Sequence, residues 1–165
     1  MGERERVSGV EVMDADLRLS EITNILEALQ AAKSRPKKLA ILRANKSFPM
    51  FASVLRYTLG LIRSNITEEK IERHIFYIDK PSDVPNNWND MMMYFELNPT
   101  GTDEDVAVTQ LYIKNYLTED RGKLTAIISR KIETGVTLNM AVKVFGEEFY
   151  EGTYYETGNK AAGSS

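Results

Sequence analysis

The stretch IISRKIETGVTLNMAVKVF, Ile127 to Phe145, holds the residues of this chain whose types and spacing best suit chemistry. A helical apolar pattern runs into Glu133-Thr134-Gly135, stops, and restarts after Val136 and Thr137. Arg130 and Lys131 stand before the break, and Asn139 and Lys143 stand beyond it. A glycine without a Cβ lets a backbone come close. The first N–H groups of the following helix point outward at the positive end of its dipole. A threonine hydroxyl such as that of Thr137 adds one more donor. A corner of this kind can hold a phosphate by shape and charge, without reading a base. The same residues also fit a helix hairpin closed by a glycine C-cap at Gly135. On the residues alone both readings stand.

Other candidate groups point to packing or capping. Cysteine is absent, which removes disulfides and thiolate metal sites, and His74 is the single histidine. Nothing near His74 in sequence supplies a nucleophile or a partner. Met91, Met92 and Met93 suit adaptable packing. Asp103, Glu104 and Asp105 suit the start of a helix, where carboxylates complement the dipole, better than a metal site. Tyr154 and Tyr155 have rings able to stack on bases, but they sit in a polar tail. There is no glycine-rich phosphate loop of the Walker type. The expectation is a chain with no catalytic set, no metal and no cofactor.

The elements that must position the corner follow from periodicity. Ile22, Ile25, Leu26 and Leu29 recur at helical spacing, and Ser34 with Pro36 starts a second helix that carries Leu39 and Leu42 inward. Lys37, Lys38 and Arg43 of that helix are expected to face solvent. Phe51, Val54, Leu55 and Leu59 form a third stripe closed by Gly60. Thr67 with Glu68 and Glu69 starts a fourth, which extends toward Ile71, Ile75 and Ile78; HIFYI is also acceptable as a short strand. Trp88 to Leu97 reads as a short apolar helix. Thr102 with Asp105 signals a capping box before a helix through Val106, Gln110, Ile113 and Leu117. Leu124, Ile127, Ile128 and Ile132 form the cleanest stripe, and Thr137 caps the last helix, with Met140, Ala141 and Val144 inward. The fold class expected is all-α, a compact bundle of about six to eight helices. Residues 1–15 are expected to be a flexible arm, 16–150 the helical domain, and 151–165 a flexible tail. Ile25, Leu29, Leu42, Leu55, Leu124, Ile128 and Val144 should share one core.

The chain has 165 residues, is 42% hydrophobic and 27% charged, and carries a formal net charge of −3, as an ordinary globular domain does. Charge is segregated. Lys33, Arg35, Lys37, Lys38, Arg43 and Lys46 lie in a stretch without an acid, and Arg121, Lys123, Arg130, Lys131 and Lys143 lie in one whose only acid is Glu133. Thr67 to Asp105 is acidic. A basic face on an acidic molecule steers a ligand through its local field. The N-terminal residues lack the apolar core of a signal peptide, and no run approaches membrane-spanning length, so a cytoplasmic protein is expected.

Two segments resemble the N-terminal DNA-binding domain of ATP-dependent DNA ligases, the phage T4-like kind in particular. The first is ILEALQAAKSRPKKLAILRANKS followed by VLRYTL; the second is LTAIISRKIETGVTLNMAVKVF, where Arg130, Glu133, Gly135, Thr137, Ala141, Lys143 and Val144 sit on the pattern. The likeness covers most of residues 22–146, and is loose between Arg63 and Asp120. It implies an all-α domain that grips duplex DNA around a nick, with the glycine–threonine corner on a backbone phosphate. Two departures stand out. No lysine here begins the Lys-x-Asp-Gly motif that takes AMP in the ligase core, and the nucleotidyltransferase and OB-fold portions are absent. Val142 stands where the pattern often has Asn.

The expectation is therefore a non-catalytic, sequence-independent module for duplex or nicked DNA in replication or repair. Its contacts would be Lys37, Lys38, Arg130, Lys131, Gly135, Thr137, Asn139 and Lys143. If the chain is phage-encoded, its setting is the host cytoplasm, and a separate ligase catalytic core or a replication or repair protein is a further partner. The alternative is a protein-interaction module, inhibitor or adaptor that keeps the ligase-like fold and docks a partner through its acidic stretch. Neither reading involves a membrane.

Overall fold

Ser34, Thr67, Asn87, Thr102 and Thr137 each accept a hydrogen bond from the backbone N–H three residues on, and each starts a helix. In the computed structural model, which describes residues 17–73 and 84–151, these starts organise nine helices and no strand among the described residues. They are α1 (Leu19–Ala31), α2 (Arg35–Ala44), α3 (Phe51–Thr58), α4 (Glu68–Arg73), α5 (Trp88–Leu97), α6 (Asp103–Lys114), α7 (Thr118–Ile128), α8 (Leu138–Phe145) and α9 (Glu147–Glu151). The all-α class read from the apolar spacing is what the structure has. The arm, the tail with Tyr154 and Tyr155, and the stretch of His74, Ile75 and Ile78 lie outside the described residues.

The chain divides into two units, one of residues 22–62 and 132–165 and one of residues 1–21 and 63–131. In the first, α2 and α3 pack with α8 and α9. Its interior holds Ile25, Leu26 and Leu29 from α1, Leu39 and Leu42 from α2, and Phe51, Val54 and Leu55 from α3, with Met140, Ala141, Val144 and Phe145 from α8. Helix α3 ends in two tightening bonds, Gly60 N–H to the Tyr57 carbonyl and Leu61 N–H to the Arg56 carbonyl, with Gly60 left-handed at φ 86°. Helix α9 was not signalled by the sequence pattern. It follows Gly146 directly and buries Phe149, whose ring stacks on Phe145 with centroids 5.2 Å apart.

In the second unit, α4 packs with α6 and α7, and α6 with α7. Trp88, Met91, Met92 and Phe95 of α5, Val106 and Tyr112 of α6, and Leu124, Ile127 and Ile128 of α7 are buried. The Thr102–Asp105 capping box is present. The seven residues expected to share one core are all buried, but they divide between the units: five belong to the first, Leu124 and Ile128 to the second.

Two expectations about the end of α7 are corrected. Ile132 lies beyond the helix, which stops at Ile128. The left-handed cap falls on Arg130, at φ 59°, and not on Gly135. Arg130 N–H bonds the Ile127 carbonyl and Lys131 N–H the Ala126 carbonyl, the paired 5→2 and 6→1 bonds of a Schellman ending. The Ser129 hydroxyl donates to the Thr125 carbonyl at 2.7 Å, a local bond that competes with continued helix. Leu117 likewise lies outside α6, as the residue that precedes α7.

Candidate nucleic-acid interface

Between Lys131 and Thr137 the chain is neither helix nor strand, and its side chains alternate: Thr134 and Val136 are buried, while Gly135 and Thr137 are exposed. Inside this segment the Thr134 hydroxyl accepts the Val136 N–H at 3.2 Å, which fixes the bend around Gly135. Gly135 has φ 75°, a conformation that side chains rarely adopt. The corner is therefore an extended link with one left-handed residue, not a tight hairpin turn.

Thr137 then caps α8. Its hydroxyl oxygen accepts the Met140 N–H at 3.2 Å, and its carbonyl accepts the Ala141 N–H at 3.1 Å, the first bond of the helix. The N–H groups of Leu138 and Asn139 precede that bond and have no acceptor within the helix. The hydroxyl proton of Thr137 is left to donate outward. Helix α8 turns Met140, Ala141, Val144 and Phe145 inward, so Asn139 and Lys143, one turn apart, share its exposed face. Lys37, in the first turn of α2, is exposed, and α2 packs on α8. Neither Lys37 nor Lys143 has an ion-pair partner among the described residues. The packed pair α2 and α8 thus carries Lys37 and Lys143 exposed, beside a corner whose one acid, Glu133, is exposed as well.

Lys38 does something different from the solvent-facing role expected of it. Its ammonium donates to the carbonyls of Leu29 in α1 and, at 2.7 Å, of Thr134 in the corner, and the side chain is half-buried. Leu29 lies in the last turn of α1, where carbonyls lack helical partners and a cation complements the dipole. The ammonium also lies against Gly135: a Cβ there would stand 3.0 Å from Nζ and 3.1 Å from Cε. The spacing of two neighbouring lysines gives no sign of this, since both carbonyls are set by tertiary structure.

Arg130 and Lys131 belong to the other unit, and each has local work there. Arg130 is half-buried and donates to the Ser64 carbonyl at 3.3 Å. Lys131 is exposed and pairs with Glu68 at the start of α4, 2.8 Å away; that hydrogen bond and charge raise its pKa. Two further cations of the same basic stretch are also engaged. Arg121 covers the carbonyls of Lys114 and Tyr116 at the end of α6, and Lys123 lies 3.8 Å from Asp120. The even spread of basic residues from Arg121 to Lys143 thus resolves into locally paired cations and Lys143.

The remaining candidates have structural explanations. Asp105 is buried and accepts the N–H groups of Gly101 and Thr102 and the Tyr94 hydroxyl. Met91 and Met92 are buried packing residues, whereas Met93 is 46% exposed. No helix of the described residues is long and apolar enough to cross a membrane. No family model matches the chain, and no curated protein or solved structure matches it.

Proposed function

We propose that the chain binds duplex DNA, nicked DNA included, through backbone phosphates and without sequence preference. The observation that carries this reading is the exposed Gly135–Thr137 edge. It leads into the N–H groups that open α8, on the packed pair α2 and α8 that exposes Lys37 and Lys143, neither with an ion-pair partner among the described residues. Backbone donors at a helix start, a free hydroxyl proton and two lysines form an anion-binding set with no group that distinguishes one base from another. The resemblance of the two flanking segments to a ligase DNA-binding domain points the same way. No Lys-x-Asp-Gly motif is available for adenylation, so the proposed role is binding without ligation.

Duplex affinity measured over a range of salt concentrations tests the proposal. With two phosphates neutralised, by Lys37 and Lys143, log affinity should fall against log salt with a slope of about −1.8. Lys143→Ala should weaken binding to all sequences alike and flatten that slope by about 0.9. Gly135→Val should weaken it more, because a side chain cannot adopt φ 75° cheaply and would press on the Lys38 ammonium. Binding that is absent at low salt, or indifferent to both substitutions, would reduce the corner to a connection.

A second reading, a protein-docking module, is favoured by one feature of α5. Met93 and Leu97 are 46% and 78% exposed, lie one turn apart, and have Asp90 and Glu96 beside them on the exposed face. A partner carrying basic and apolar side chains would suit that strip.

A further inference from the structure

We infer that Lys38 is a positioning residue: it latches the Gly135 corner to α1 and α2, and it contacts no phosphate itself. The DNA arm of this inference rests on the binding reading above; the latch does not. Lys38 joins three stretches of chain, since it stands in α2 and donates to Leu29 of α1 and to Thr134, the residue before Gly135. Thr134 is buried at 6% exposure, so its carbonyl depends on this partner instead of water. The ammonium fills the space under Gly135 that a Cβ would need. Three facts therefore fit together: a glycine at 135, a left-handed φ of 75°, and a lysine whose head is committed to backbone. Lys37, one residue earlier, is exposed and without an ion-pair partner among the described residues. Neighbouring lysines divide the labour, one setting the corner's shape and the other offering charge to a ligand.

The two roles separate by experiment on the full chain. A lysine that neutralises a phosphate changes the salt slope, whereas one that holds the corner changes affinity at an unchanged slope. Lys38→Met keeps the side chain's length and removes its donors. It should lower duplex affinity about tenfold, the effect of losing a charge-assisted hydrogen bond that shapes the site, and leave the slope intact. Lys37→Ala should flatten the slope by about 0.9. Lys38→Arg keeps the charge but brings a planar fork under Gly135, and should behave as Lys38→Met does. In a double-mutant cycle, Lys38→Met and Thr137→Val should be strongly non-additive, while Lys38→Met and Lys143→Ala should add. A merely stabilising lysine would add with both. Amide hydrogen exchange on the DNA-free protein reads the latch by itself: the Val136 and Met140 amides, bonded to the Thr134 and Thr137 hydroxyls, should exchange faster in Lys38→Met and in Lys38→Arg, with the Tyr112 region of α6 unchanged. Should Lys38→Met fail to fold, Lys38→Arg decides on the same readings. A flattened slope in Lys38→Met with wild-type affinity in Lys38→Arg would overturn the inference, as would unchanged exchange at the corner. Accelerated exchange in a protein that does not bind DNA would keep the latch and remove the DNA reading.

Discussion

Arg130 occupies a left-handed position normally left to glycine or asparagine, and the residue scale is where its cost is felt. For an L-residue this conformation costs about 1–2 kcal/mol. Arg130 is held there by the paired bonds that end α7 and by its donation to the Ser64 carbonyl. Alanine and glycine at 130 both remove the guanidinium, so their difference isolates the backbone. Arg130→Gly should be more stable than Arg130→Ala by about 1 kcal/mol in denaturant unfolding. Equal midpoints would mean that the turn relaxes out of the left-handed region. The same residue shows where sequence reading stops. Glycine is the default left-handed cap, so the pattern points to Gly135, and nothing local announces that an arginine takes the cap five residues earlier. Lys38 is illegible for a related reason. Its Thr134 partner lies 96 residues away, and a cation that serves backbone carbonyls looks in sequence like any surface lysine.

At the scale of elements, the sequence is most legible where signals are local. The caps at Ser34, Thr102 and Thr137, and the bounds of α5, depend on residues within one turn of each other. Helix α9 escaped because it is five residues long and its anchor is tertiary: Phe149 stacks on Phe145, and its carbonyl accepts from the buried Arg56 at 2.7 Å. The joint between α5 and α6 gives a testable consequence. Tyr94 donates to Asp105 at 2.7 Å. Burial, and then the hydrogen bond and charge of Asp105, push the Tyr94 phenol well above its ordinary value of 10.0. In the unfolded chain Tyr94 ionises near that ordinary value, while in the folded chain it keeps its proton. Its stabilising contribution is thus complete below about pH 10 and declines as pH rises toward the folded value. Wild type should lose stability more steeply above pH 10 than Tyr94→Phe does, as followed by urea midpoints. Parallel curves would mean that the hydroxyl reaches water freely.

For the whole molecule, helix content and burial follow from composition and period, but the distribution of useful charge does not. A formal net charge of −3 opposes an anionic ligand, and the basic residues that counter it are fewer than the sequence suggests, because Arg121, Lys123 and Lys131 are locally engaged. What remains is a local field set against a global one, and salt separates the two. At about 0.1 M ionic strength the screening length is about 10 Å, so distant charges are muted while a contacting lysine still releases a counterion. Asp103 and Glu104 are exposed on the first turn of α6, in the unit that does not hold Gly135, and they add to the net negative charge. The double change Asp103→Asn with Glu104→Gln should then tighten duplex binding by about two- to threefold near 10 mM salt, with the gain disappearing toward 0.2 M. By contrast, Lys37→Ala with Lys143→Ala should weaken binding at every salt concentration and flatten the slope by about 1.8. If Asp90→Asn with Glu96→Gln instead abolishes capture of a basic peptide partner while DNA affinity stays negligible throughout, the acidic strip beside Met93 and Leu97 is the working surface. The charge on α5 would then serve to attract that partner.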